Sequence, residues 1–183
     1  MLASIHPLGE RAKHNRWAVT VAFYLFGSVA AGTVLGAALG TLGLHAGPAI
    51  VAALCLVAAL VDASGRRPPG WRRQVNEDWL HRYRGWVYGV GFGFQLGLGV
   101  VTIVTTAAVY LAFTLAALSG SPASGALIGA TFGLSRAAPV LLMGRVGAPD
   151  ALRAFHGRHA GAAPWARGVT VAGLLSAALG SFR

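Results

Sequence analysis

Three glycine ladders, each advancing four residues at a time through an apolar stretch, constrain this chain more than any other feature: Gly32/Gly36/Gly40, Gly89/Gly93/Gly97 and Gly125/Gly129/Gly133. Residues four apart lie along one side of a helix, so each ladder is a stripe without side chains. In lipid, where apolar burial does not drive helices together, such stripes let two backbones approach and gain dispersion contacts. The ladders therefore predict an all-α, polytopic transmembrane helix bundle with these glycines at helix–helix contacts. Composition points the same way: 55% of residues are hydrophobic, 11% are charged, and 26 of 183 are glycine, far from the balance of a soluble domain. At this length, without a long Ser/Pro/Gly linker, a single domain over 1–183 is expected.

Apolar spans read at 17–43, 47–61, 86–118, 125–143 and 163–179, about five crossings, or six if the third stretch is broken. The net charge of +10 then sorts by position. Arg11, Lys13 and Arg16 precede the first span; Arg66, Arg67, Arg72, Arg73, Arg82 and Arg84 follow the second; Arg145, Arg153, Arg158 and Arg167 follow the fourth or open the fifth. If every span crosses once, all of these fall on one side. The other side receives the turns at Leu44–His45 and Ser119–Ser124, and Arg183. The positive-inside rule makes the N-terminus cytoplasmic and the C-terminus external, in a multi-pass protein of the plasma membrane. Charge interleaved with apolar spans is not the footprint of a nucleic-acid surface, and no nucleic-acid partner is expected. The first span has a basic lead-in, but its apolar run exceeds the ~7 to 15 residues of a secretory core, so it reads as a retained helix.

Cys55 is the only cysteine and sits mid-span among Leu54, Leu56 and Val57, which excludes an internal disulfide or a CxxC pair and suits simple packing. The loop after the second span is more patterned. Trp71, Val75, Trp79 and Tyr83 recur every four residues, with Trp86 close behind, while Arg72, Arg73, Glu77 and Arg84 fall elsewhere around the helix. An amphipathic interfacial helix over about 71–84 follows, with aromatic groups in the membrane interface and arginines toward anionic headgroups. Pro68 and Pro69 separate it from the preceding span.

The stretch from Trp86 to Leu118 would measure roughly 50 Å as one helix, against a hydrocarbon thickness of ~30 Å. It must tilt, protrude or break, and the glycine-dense run GVGFGFQLGLG, Gly89 to Gly99, is where a break is least costly. Gln95 lies in that run, with Thr102, Thr105 and Thr106 beyond it. Either these polar groups bond to neighbouring helices, or a broken helix presents backbone groups to a ligand. Arg136, flanked by apolar residues in GATFGLSRAAPVLLMG, costs ~2.5 to 3.5 kcal/mol in lipid unless it faces protein, water or a counter-charge. It is therefore expected to face the bundle interior, toward Gln95, carbonyls at a helix break, or an anion, with Pro139 marking a kink. Asp62, at the end of the second span, is the only acidic residue near a span.

Little else suggests chemistry. His156 and His159 share a helix side but sit in an Arg-rich loop with only Asp150 in support, so no metal site is expected. GVGFGF lacks the preceding strand and acidic residue of a dinucleotide loop. Without a nucleophile–base arrangement or paired carboxylates in a span, the chain reads as non-enzymatic and without a cofactor.

The run GFGFQLGLGVVTIVTTAAVYLAFTLAALSGSPASGALIGATFGLSRAAPVLL, Gly91 to Leu142, resembles the second half of the CcdA/DsbD-type transmembrane family of cytochrome c biogenesis: a Gly/Phe-rich helix start, a short Ser-Gly turn, then a glycine-rich helix ending near proline. FYLFGSVAAGTVLGAALGTLG more loosely resembles two helices of the first half. That family relays electrons through an intramembrane cysteine in each half. Here Val101 stands where the second best aligns, the helix for the first is missing, and Cys55 matches neither, so the thiol relay does not carry over. The related LysE-like and TauE-like inverted-repeat exporters share the plan and need no cysteine. Two functions follow as expectations. One is a small transporter or exporter with an intramembrane site of Arg136, Gln95, Thr102, Thr105 and Thr106 that binds an anion. The other is a non-catalytic membrane subunit or assembly factor related to cytochrome c maturation. Five spans are few for a complete transporter, which implies a homo-oligomer or a partner membrane protein.

Overall fold

The longest helix is the axis on which the others assemble. The computed structural model describes residues 5–66, 68–70, 78–99, 101, 103–145, 148, 150, 153–154, 157 and 161–182. In order these form α1 (Pro7–Ala12), α2 (Trp17–Gly40), α3 (Pro48–Ala63), a single turn α4 (Trp79–Arg82), α5 (Gly85–Gly97), α6 (Ala108–Ala117), α7 (Pro122–Ala137) continuing as a 3-10 helix (Ala138–Arg145), and α8 (Ala162–Gly180). Among the described residues there is no strand, only an isolated bridge between His45 and Ser119. Local chemistry sets several boundaries. Pro48 and Pro122 occupy first turns, where a missing N–H is harmless, and Ser121 caps α7 by accepting from the Ser124 N–H at 3.2 Å. Pro139 removes a backbone donor where α7 tightens into 3-10 geometry.

The glycine ladders lie on contacts with α2. Gly32, Gly36 and Gly40 face Gly129, Gly125 and Ser121, so that a Cβ at any of the three would run into the carbonyl oxygen opposite. The relation is reciprocal at Gly125 and Gly129, and Gly133 lies against the carbonyl of Ser28. The order of these pairs makes α7 antiparallel to α2. On another side of α2, Gly89, Gly93 and Gly97 press on the carbonyls of Thr20, Tyr24 and Ser28, which makes α5 parallel to α2. Ser28 joins the two seams, donating its hydroxyl to the Gly133 carbonyl at 2.8 Å. Tyr24, Tyr88, Phe92, Leu96 and Val140 fill the core around them.

A second cluster is built from α3, α6 and α8, with Ala52, Cys55, Ala58, Ala59, Leu111, Leu174 and Ala178 buried together. α8 runs antiparallel to α3: the Ser181 hydroxyl donates to the Pro48 carbonyl at 3.3 Å at one end, and Arg167 lies over Gly65 at the other. The His45–Ser119 bridge brings the α2–α3 turn and the α6–α7 turn to one end of the bundle.

Among the described residues, two helical segments are long and apolar enough to cross a membrane, Trp17–Gly40 and Pro122–Gly144. Pro48–Ala63 and Ala108–Ala117 are apolar but shorter. The fold is therefore all-α with two membrane-length helices, and the helix lengths alone do not establish five spans. The stretch from Trp86 to Leu118 is not one helix: α5 stops at Gly97, α6 starts at Ala108, and the described residues between them are non-helical. Of the interfacial helix expected over 71–84, residues 71–77, Trp71 included, lie outside the described residues.

Candidate functional site

The break between α5 and α6 exposes the two kinds of backbone group a helix leaves unpaired, carbonyls at its end and N–H groups at its start. At the α5 end, Gly99 adopts φ +68°, a left-handed conformation that ends the helix, and its N–H bonds to the Leu96 carbonyl at 3.0 Å. Only glycine fits, because a Cβ there would also strike the rings of Phe113 and Phe132. The Gly99 carbonyl accepts from Arg136 Nη1 at 3.2 Å, and the Arg136 guanidinium lies 5.6 Å from the centre of the Phe132 ring, which packs edge-on against Phe113. A cation thus stands at the negative end of α5.

At the α6 end the charge is opposite. Asp62, 5% exposed at the close of α3, accepts from the Ala107 N–H at 2.7 Å through Oδ1 and from the Thr106 hydroxyl through Oδ2. The Thr106 hydroxyl oxygen in turn accepts from the Ala108 N–H at 3.1 Å. The Thr106 hydroxyl thus caps the first N–H of α6 from within the segment, and a carboxylate from another helix caps the N–H before it. Two charges inside the bundle are thereby engaged with the two ends of one broken helix.

The residues expected to form one intramembrane site are divided. Arg136 is at the α5 end; Thr105 and Thr106 are at the α6 end, beside a cavity of about 380 Å³ that Asp62, Arg66, Arg167 and Thr170 also line. Gln95 is half-buried within α5, and Thr102 lies outside the described residues. Of the aromatic groups assigned to the membrane interface, Trp79 turns inward, stacking on Phe92 and covering Gly91, while Tyr83 and Trp86 are each 49% exposed.

A buried carboxylate, Glu10, was not evident from the sequence. Glu10 in α1 is fully buried and accepts from the Thr20 hydroxyl at 2.7 Å and from the Tyr88 hydroxyl. Asn15 donates to the same Tyr88 oxygen at 3.3 Å, and Lys13 Nζ sits 5.6 Å from the centre of the Tyr88 ring. This network ties α1 to both α2 and α5. The available signal was a lone acidic residue in a basic lead-in, which reads equally as solvated.

Fold and break together define a glycine-seamed helical bundle whose interrupted helix is capped by charges from its neighbours. The chain is similar to the methylamine utilization protein MauF of Paracoccus versutus, 36% identical over 152 residues, covering 76% of this chain and 55% of that protein. It is also similar to the methylamine utilization protein MauF of Methylophilus methylotrophus, 31% identical over 151 residues, covering 76% of this chain and 53% of the relative. The chain spans about half the length of the curated relatives it matches. No protein-family model matches it, and no solved structure matches it.

These similarities correct the resemblance to the CcdA/DsbD-type family and to the LysE-like and TauE-like exporters. That resemblance rested on glycine spacing, which serves any bundle needing close backbone approach and so does not mark descent. The transporter expectation falls with it, as does the cytochrome c maturation alternative: the relatives are named for methylamine utilization, and two membrane-length helices do not support a multi-pass transporter.

Proposed function

We propose that this chain is a membrane-embedded, non-enzymatic accessory protein of methylamine utilization, serving as a rigid helical scaffold for a partner membrane protein or a second copy of itself. The observation that carries the reading is the similarity to MauF over three quarters of the chain. A core in which α2 touches α5 and α7 backbone to backbone suits a scaffold, since it leaves little room for movement. In this reading the chain crosses the plasma membrane five times with a cytoplasmic N-terminus, the third crossing being the α5–α6 pair. Non-helical backbone is tolerated at membrane depth where protein satisfies it, and Arg136 and Asp62 supply partners for the Gly99 carbonyl and the Ala107 N–H.

Removing the gene from its host tests the role. Growth on methylamine should fail while growth on succinate with ammonium is unchanged; equal growth on both would overturn the reading. Topology is tested separately in a Cys55→Ser background. Leu44→Cys and Ser124→Cys should react with an impermeant maleimide from outside intact cells, and Asp150→Cys only after lysis.

A further inference from the structure

The cavity of about 380 Å³ where α3 ends, α6 begins and α8 passes is rich in hydrogen-bond donors. Among the described residues, Asp62 is the one acidic side chain lining it, and both of its oxygens already accept from Ala107 and Thr106. The Thr170 hydroxyl donates to the Ala166 carbonyl within α8 at 3.0 Å. Among the described lining residues, those left to meet an occupant are Arg66, Arg167 and Thr105, all of them donors. Arginine carries five N–H donors and no acceptor, in a fork that matches two oxygens of a phosphate. Space is kept for one fork by Gly65, whose φ of +71° admits glycine readily and where a Cβ would sit 3.1 Å from Arg167 Nη1.

From this geometry we propose that the cavity binds the phosphate group of an organic ligand, held by Arg66 and Arg167 with Thr105 as a further donor. A cation such as an alkylammonium is disfavoured, because two guanidinium groups repel it and the single carboxylate is committed to capping α6. The volume lies in the range of small-molecule sites and exceeds what a bare oxyanion fills, so the phosphate belongs to a larger group. That group is a phospholipid headgroup entering from the bilayer or a soluble phosphate ester. The inference does not depend on the methylamine reading.

Native mass spectrometry of the full chain in lipid-free detergent tests it, with phosphatidylglycerol and glycerol 3-phosphate as separate probes. The wild-type chain should retain one equivalent of at least one probe, and Arg66→Gln with Arg167→Gln should weaken that binding at least about tenfold, the scale of losing hydrogen bonds to a charged group. Thr105→Val, which keeps both arginines and the Asp62 cap, should weaken it severalfold and covers the case in which the double variant does not fold. Retention of phosphatidylglycerol alone assigns the site to a headgroup, and retention of glycerol 3-phosphate alone to a soluble ester. If neither probe binds the wild-type chain, or the variants bind as it does, the site is overturned.

Discussion

The bundle has two cores that both rely on small residues but use them differently. Around α2, glycine faces backbone: Gly36 meets the carbonyl of Gly125, Gly93 that of Tyr24, and there is no space for even one methyl group. Around α3, small side chains face side chains, with Ala52, Cys55, Ala58 and Ala59 against Leu111, Leu174 and Ala178. The first core is fixed by contact between main chains, which cannot change rotamer. The second is fixed by side chains, which can. Substitutions of similar size should therefore have unequal effects in the two cores.

The largest expected effect is at the glycine seam. Gly129→Leu should abolish the folded bundle, and Gly129→Ala should cost about 3 kcal/mol or more, because the added carbon meets the Gly32 carbonyl oxygen and the helices must separate. Thermal unfolding in detergent, followed by circular dichroism, measures this; a midpoint within a degree or two of wild type would remove the distinction between the cores.

Next come the caps that join the cores across the break. Arg136→Ala removes a charged donor from the Gly99 carbonyl, and Asp62→Ala strands the Ala107 N–H, each costing about 1 to 3 kcal/mol. Asp62→Asn keeps an acceptor for the N–H and should cost less than Asp62→Ala. Equal stability of all three variants would show that the broken helix does not need its caps.

Cys55→Ala should change stability by about 1 kcal/mol or less, since Cys55 acts as a small apolar group among alanines. A loss as large as that of Gly129→Ala would place both cores in one class. The smallest effect runs the other way. A Cβ at Gly173 in α8 would meet nothing within 4 Å, so Gly173→Ala should stabilise by up to about 1 kcal/mol through helix propensity alone. Destabilisation there would reveal an occupant of the α8 face.

Much of this was legible in the order of residues, and what was not has identifiable causes. Periodicity is local, so the ladders and the apolar helices could be read directly. Partners could not. Two ladders meet each other, but the ladder through Gly93 meets the carbonyls of Thr20, Tyr24 and Ser28, and on α2 only the single glycine Gly27, against Val90, marks that contact. Arg136 was expected to face Gln95, carbonyls at a helix break or an anion; it bonds to a carbonyl at the break, but that this is the Gly99 carbonyl could not be read, since every residue carries one. Asp62 stood out as the acidic residue near a span, while the N–H it caps exists only because the helix breaks beside it. Glu10 was missed because Tyr88, which buries it, is far away in sequence.

By itself, then, the sequence determined a helical chain with side-chain-free stripes, an overlong third stretch that had to tilt, protrude or break, and an arginine among apolar residues in need of compensation, since all of these follow from spacing and hydropathy within a few turns. Tertiary structure alone decided that α2 lies between α5 and α7, that α5 ends at Gly97 and α6 begins at Ala108, and that Arg136 and Asp62 sit at those two ends instead of sharing one site. The reason is that backbone carbonyls and N–H groups are chemically the same at nearly every position. Only folding selects which of them are left unpaired, and which charge is brought to each.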